Sequence, residues 1–329
     1  MTNFLLDSYG RLHTDLRVSV TDRCNLRCRY CMPEAGVEFR PHAAILAFEE
    51  IARFVRVAAG LGVRKVRLTG GEPLVRKGVV DLVRLLAALT IDDLALTTNG
   101  VLLSEMAGDL AAAGLARVNI SLDTLDRRRF AEISGTDALP QVLAGIEAAR
   151  AAGFRQIKLN TVAVRGQTET EAVPLVRYAM ERGISLRFIE LMPMDGQCRW
   201  SPGQVLPGRE ILAILSREIG PLRPVPMKKP LGAAVEYEFL DGGRIGVAPA
   251  VTAPFCGHCS RLRLTSEGQI RNCLFSPESW DARAVLRGSG GDDELAALLR
   301  AAVARKKERR GTDQGTLEPA TRAMYQIGG

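Results

Sequence analysis

Six of the seven cysteines fall into two groups of three, Cys24-x3-Cys28-x2-Cys31 and Cys256-x2-Cys259-x13-Cys273, with Cys198 left over. Three thiolates in an eight-residue loop can face one metal centre. An iron–sulfur cluster of the cubane type has four irons and takes thiolates as its usual ligands. Three thiolates therefore leave one iron open to a small molecule. The alternative is structural zinc, whose sites are closed by four ligands. His13 is the nearest fourth donor for the first group, but it lies before the first strand and reads as a solvated histidine in a turn. For the second group the zinc alternative stays open, with His258 or a nearby carboxylate as the fourth ligand. Cys198, beside Trp200, reads as an ordinary buried thiol. An odd cysteine count without a secretory signal argues against a disulfide framework.

Between the ligands of the second group runs Arg261-Leu262-Arg263-Leu264. In a strand, alternate residues share a face, so both guanidiniums point one way. Such a pair makes a clamp for phosphate oxygens through charge-assisted, often bidentate bonds. The plainer reading is a strand with its basic side in water, and the flanking cysteines favour the clamp. The chain has 44 Lys and Arg against 37 Asp and Glu, a net charge of +7. That balance suits nucleic acid, an anionic membrane surface or a phosphorylated substrate. Aromatics make up only 5% of the chain, and they are not interleaved with basic residues as in a nucleic-acid-binding protein. The run Arg305 to Arg310 reads as the exposed side of a helix near the C-terminus.

These residues need a frame, and 329 residues with 47% apolar content suffice for one large domain or two ordinary ones. Short aliphatic segments predict strands at Leu16–Val20, Lys65–Thr69, Leu94–Thr97, Arg117–Ser121, Gln156–Val164 and Ser185–Glu190. Helical periodicity falls between them, at Phe48–Leu61, Lys77–Leu89, Ser104–Ala113, Leu139–Ala152 and Glu169–Arg182. Gly62, Gly114, Gly153 and Gly183 stand just past four of these helices as stop signals. The alternation predicts an α/β fold with a parallel sheet. Six units leave a closed barrel and an open doubly wound sheet undistinguished. In either, chemistry gathers at the C-terminal strand ends. The first cysteines, Gly70-Gly71-Glu72-Pro73, Thr97-Thr98-Asn99-Gly100 and Ser121-Leu122-Asp123 all fall there. After residue 200, prolines mark a connector around a short helix near 209–218, followed by strands at Val235–Leu240 and Arg244–Val247. No apolar run reaches the ~18 residues of a membrane span. With no signal peptide at its start, the chain is expected to be cytoplasmic.

Cys24-Asn25-Leu26-Arg27-Cys28-Arg29-Tyr30-Cys31 resembles the signature of the radical S-adenosylmethionine (SAM) superfamily. The lead-in Asp15 to Arg23, the second cysteine group and the terminal Ile327-Gly328-Gly329 narrow the resemblance, over essentially the whole chain, to the GTP 3′,8-cyclase family. The resemblance implies a partial (βα)6 barrel of the TIM type over residues 6–226. A smaller region, residues 227–329, would bind a second cluster and GTP. It implies two 4Fe–4S clusters and SAM, whose reductive cleavage yields a radical that takes the ribose 3′ hydrogen of GTP. The carbon radical then closes on guanine carbon 8, opening molybdenum cofactor biosynthesis.

Carried onto this chain, the resemblance puts Cys24, Cys28 and Cys31 on the SAM-cleaving cluster and Cys256, Cys259 and Cys273 on the second. It matches Tyr30, Gly71, Glu72, Thr97, Ser121 and Met192 to the SAM pocket. Met192 taken alone would read as core, and Thr98 adjoins Thr97. It matches Arg17, Lys65, Arg67, Lys158, Arg187, Arg261 and Arg263 to the cationic set around GTP. Gly328 and Gly329, otherwise a frayed end, would support catalysis near Arg17. It further implies an electron donor such as flavodoxin or ferredoxin and hand-over to a cyclic pyranopterin monophosphate synthase. No nucleic acid or membrane partner is expected, and there is room for a homodimer. The rival reading is another two-cluster radical SAM enzyme, such as a peptide-modifying maturase.

Overall fold

The computed structural model describes residues 4–32, 37–194, 199–226, 232–309, 320 and 322–328. Its first six strands are β1 (Asp15–Ser19), β2 (Lys65–Thr69), β3 (Asp93–Thr98), β4 (Arg117–Ser121), β5 (Gln156–Ala163) and β6 (Ser185–Glu190), each within a residue of expectation. Between them lie α1 (Phe48–Gly60), α2 (Val79–Ala87), α3 (Leu103–Ala112), α4 (Arg127–Ser134), α5 (Leu139–Ala151) and α6 (Thr168–Glu181). In α1, Ile51, Phe54, Val55 and Ala58 recur at helical spacing and are buried. The four expected stop glycines all have positive φ. Helix α4 was not expected. Its Arg127-Arg128-Arg129 start hides an amphipathic pattern that buries only Phe130 and Ser134, and Asp126 caps it by accepting from the Arg129 amide at 2.9 Å.

The remaining elements are α7 (Gly208–Glu218), β7 (Leu222–Pro224), β8 (Val235–Phe239), β9 (Arg244–Ala248), β10 (Arg261–Leu264), β11 (Gln269–Arg271), β12 (Trp280–Asp281), α8 (Ala282–Arg287), α9 (Asp292–Ala304) and α10 (Met324–Ile327). All twelve strands join one sheet, in the order β12-β11-β10-β1-β2-β3-β4-β5-β6-β9-β8-β7. From β10 through β1 to β6 and on to β9, every pairing is parallel. The first six strands stand in chain order. Right-handed crossovers then put every connecting helix on the same face. A doubly wound sheet needs a reversal of order, and this sheet has none. The architecture is an open barrel. Strands β9 and β10, both from the later part of the chain, extend it to eight parallel strands. Their outer edges pair antiparallel with β8 and β11.

Alternation divides the sheet into two unlike faces. Leu16, Val18, Val66, Leu68, Leu96, Val118, Ile120, Leu159, Leu186 and Phe188 are buried in one core with the helices. Burying each large apolar side chain contributes about 1.5–3 kcal/mol. The other face carries Asp15, Arg17, Lys65, Arg67, Arg117, Asn119, Lys158, Asn160 and Arg187. Stability comes from the outer face, which leaves the inner one free to carry charge.

Candidate functional site

The Cys24–Cys31 loop leaves the C-terminal end of β1 and is held on three sides. The Arg27 and Arg29 amides donate to the Ser134 and Ile133 carbonyls at the end of α4, at 2.7 and 3.1 Å. The Tyr30 hydroxyl donates to Asp123 Oδ2 at 2.5 Å, just past β4. On the third side Gly71 and Glu72 donate their amides to the Thr21 and Arg23 carbonyls at 2.7 and 2.8 Å. A Cβ on Gly71 would strike the Arg23 carbonyl oxygen, so only bare backbone allows this approach. The glycine motif thus seats directly against the lead-in to the cysteine loop.

Glu72 is buried, and its carboxylate is occupied by the protein. It accepts from the Leu74 amide at 3.0 Å, the Thr98 hydroxyl at 2.7 Å and the Asn99 amide at 2.6 Å. Burial pushes its pKa up to about 7 despite these donors. The Asn99 side chain then reaches the Cys24 sulfur at 3.8 Å and Asn25 Oδ1 at 2.8 Å. Thr98 is committed to Glu72, whereas Thr97 stands on the inner face in register with Asn119. Ser121 ends β4 opposite Asn160, and Met192 packs against Met194 and Ile327.

None of Cys24, Cys28, Cys31, Cys256, Cys259 and Cys273 is in a disulfide among the described residues; Cys198 lies outside them. Burial, then the charge of neighbouring thiols, pushes Cys28 well up and Cys31 up to about 12, and burial also raises Cys24. Buried thiols whose ionisation is held back, Cys28 and Cys31 also by neighbouring thiols, are what a cationic metal centre relieves. At Cys259, burial pushes the thiol up, but Lys306, the Arg261 amide, Arg261 and Arg11 together bring it below its usual value. Among the described residues no three His, Cys, Asp or Glu side chains gather to hold a single metal ion, and His258 is exposed. Each group supplies three cysteine sulfurs, the usual ligands of an iron–sulfur cluster, so the chemistry of the donors fits such a cluster.

His13 corrects the sequence reading. It is buried, its Nε2 lies 3.0 Å from Asp7, and burial followed by the charge of Lys306 lowers its pKa to about 4. The basic run after α9 is likewise not one exposed side of a helix. The helix ends at Ala304, and Lys306 is 4% exposed. Arg310 lies outside the described residues.

Between the two cysteine groups the inner face forms a cationic wall. By register Arg17 faces Arg263 on one side and Arg67 on the other. Lys65, Arg67, Lys158, Arg187 and Arg261 line one cavity of about 140 Å³. Arg117, Asn119, Asp15 and Glu236 join them and were not singled out in the sequence. The cavity brings six cations against two carboxylates. Glu236 pairs with Arg187 at 3.3 Å and Lys158 at 3.5 Å, Asp15 with Arg261 at 3.7 Å, and Asp93 with Arg117. Arg17 and Arg67 have no salt bridge or hydrogen bond among the described residues. The Nε atoms of Arg17, Arg67 and Arg187 are buried without a partner. Burial and mutual repulsion lower the pKa of Arg17 well below its usual value, and burial foremost lowers Arg67 to about 10. Such a set of cations suits a multiply charged anion.

The C-terminal segment closes this wall. Ile327 is fully buried, and the Gly328 carbonyl accepts from Arg263. Gly328 has φ +85, and a Cβ there would strike Thr69 Oγ1. Gly329 lies outside the described residues.

Residues 18–179 match the Radical SAM superfamily, and residues 184–312 match Molybdenum Cofactor Synthesis C. The chain is 46% identical over 334 residues to GTP 3′,8-cyclase of Rhodopirellula baltica, covering 99% of this chain and 92% of that protein. It is 46% identical over 327 residues to GTP 3′,8-cyclase of Pelotomaculum thermopropionicum, covering 98% and 99%. Among solved structures, SuiB of Streptococcus suis bound to S-adenosylmethionine is similar at a TM-score of 0.63 and 17% identity, over 83% of this chain and 64% of that one. Methylornithine synthase (PylB) is similar at a TM-score of 0.51 and 16% identity, over 63% and 62%. At such identities the structural likeness speaks for the fold alone.

Proposed function

Because this chain belongs to the GTP 3′,8-cyclase family of radical SAM enzymes, we propose that it converts GTP to (8S)-3′,8-cyclo-7,8-dihydroguanosine 5′-triphosphate, the first step of molybdenum cofactor biosynthesis. The observation that carries the reading is the excess of cations on the inner face, where six basic side chains line one cavity against two carboxylates and Arg17 and Arg67, each with a buried Nε, have no partner among the described residues. A triphosphate carries several negative charges, which such a wall would neutralise with bidentate, charge-assisted bonds. A peptide substrate would leave those cations unpaired, which weighs against the maturase alternative.

Cys24, Cys28 and Cys31 would hold the first 4Fe–4S cluster, and Cys256, Cys259 and Cys273 the second. When bound, the first cluster supplies the electron that cleaves SAM to the hydrogen-abstracting radical, and the second an open iron for guanine. Tyr30, Gly71, Thr97, Ser121 and Met192 form the SAM side of the chamber, with Glu72 fixing the loop that carries Gly71. Lys65, Arg67, Lys158, Arg187 and Arg261 hold the phosphates. Arg17 and Arg263 orient the nucleotide beside Gly328, and Gly328 and Gly329 support catalysis near Arg17. Residues 6–226 act as the SAM-cleaving core and 227–329 as the part that binds the second cluster and GTP. A flavodoxin- or ferredoxin-type donor, hand-over to a cyclic pyranopterin monophosphate synthase, a cytoplasmic location and a homodimer complete the proposal.

The test is incubation of reconstituted protein with SAM, reductant and GTP without oxygen. We expect 5′-deoxyadenosine together with a cyclised GTP product. If 5′-deoxyadenosine forms while GTP is untouched, the substrate assignment falls.

A further inference from the structure

Lys306 stands in a basic run, yet its ammonium is buried. It donates to the Arg261 carbonyl at 2.8 Å and the Asn272 carbonyl at 2.5 Å. Arg261 lies two residues after Cys259, and Asn272 immediately precedes Cys273. No carboxylate pairs with Lys306 among the described residues. Two neutral carbonyls only partly compensate the burial of a charge, so an anion is expected nearby.

Arg11 makes the matching contact at the first ligand of the group. Its Nη1 donates to the Cys256 carbonyl at 2.8 Å and to the Glu308 carbonyl at 3.0 Å, and its Nη2 donates to the Lys307 carbonyl at 2.8 Å. Its Nε is fixed by Asp7 at 2.6 Å. Asp7 is in turn held by the Tyr9 and Arg11 amides, both at 2.9 Å, and contacts His13. The backbone beside all three cysteines is thus tied to one short segment, residues 306–308, by two buried cations from opposite ends of the chain.

We propose that Arg11 and Lys306 are positioning residues for the second cluster: they fix Cys256, Cys259 and Cys273 relative to one another and hold cations against the cluster, Lys306 with no paired carboxylate among the described residues and Arg11 paired with Asp7. The inference rests on the reading that these cysteines bind a 4Fe–4S centre. Such a centre gains negative charge on reduction, so fixed cations nearby favour its reduced form. Removing either cation loosens the cluster or moves its reduction potential downward, and leaves the first cluster as it was.

The experiment compares full-length wild type with Lys306→Met, Arg11→Met and Arg11→Lys after anaerobic reconstitution. Iron and sulfide are counted, and both clusters are followed by electron paramagnetic resonance during a reductive titration. Wild type should hold about eight irons. Both methionine variants should either fall to about four or keep about eight with the second signal shifted to lower potential. The first signal and its response to SAM should persist in each. Arg11→Lys keeps the charge and should restore the potential towards wild type. Where Lys306→Met fails to fold, the Arg11 pair decides alone. A wild type with about eight irons and an Arg11→Met variant identical in iron content and potential would overturn the inference while leaving the two-cluster reading intact. About four irons in wild type would bring down both.

Discussion

Arg17 and Arg67 lie side by side on adjacent strands with no salt bridge to any acid among the described residues, and each keeps a buried Nε without a partner. A fold optimised for stability would not place them there. Like charge and desolvation both work against the GTP-free chain, and only a bound anion repays that cost. Replacing one of them should therefore trade function for stability. Arg67→Met should raise the stability of GTP-free protein by roughly 1 kcal/mol and weaken GTP binding at least about tenfold, about 1.4 kcal/mol. Thermal unfolding and equilibrium titration with GTP check the two halves. A variant that loses stability and binds GTP as before would show Arg67 to be structural. Arg261 and Arg263 were legible because they alternate within a recognisable strand, while Arg17, Lys65, Arg67, Lys158 and Arg187 came from the family resemblance. Arg117 and Glu236 were not legible, since a single charged residue in a strand says nothing about which face it occupies. His13 and Lys306 were misread for a related reason. Sequence shows a charge, but its burial depends on partners that arrive from the far end of the chain.

At the scale of elements, the six βα units were legible because each strand's outer face must meet a helix, which writes both periods into the sequence. Strands β9 and β10 could not be seen as barrel strands. Neither is followed by its own covering helix, and each pairs parallel with a barrel strand on one edge and antiparallel with a chain neighbour on the other. The short helix α4 was hidden by its arginines, although its last carbonyls hold the cysteine loop. The Gly70–Pro73 loop has the most direct mechanical role, since it lies against Thr21–Arg23 backbone to backbone. Gly71→Ala should force the two loops apart, cost about 1–3 kcal/mol and reduce retention of the first cluster. Gly60→Ala is the control. It sits in α1 with nothing within 4 Å of the added methyl, and should be neutral or stabilising by up to about 1 kcal/mol. Chemical denaturation and iron counts on both variants check this. Equal behaviour of the two would remove the loop's role as a buttress.

Across the whole molecule, one continuous sheet carries both cysteine groups. Strand β1 leads into Cys24, and its direct neighbour β10 begins just after Cys259. The cationic wall is shared between the same strands, and in the proposed reading it is the anion-binding part of a chamber that both groups serve. The tail adds Gly328 to that chamber through Arg263. This arrangement matters only if the radical generated beside Cys24, Cys28 and Cys31 acts on a nucleotide held by the wall. The most direct measurement follows the hydrogen itself, using GTP deuterated at the ribose 3′ position with reconstituted protein, SAM and reductant. The account predicts 5′-deoxyadenosine carrying deuterium, formed together with a cyclised product that has lost it. Unlabelled 5′-deoxyadenosine alongside GTP that keeps its deuterium would contradict it.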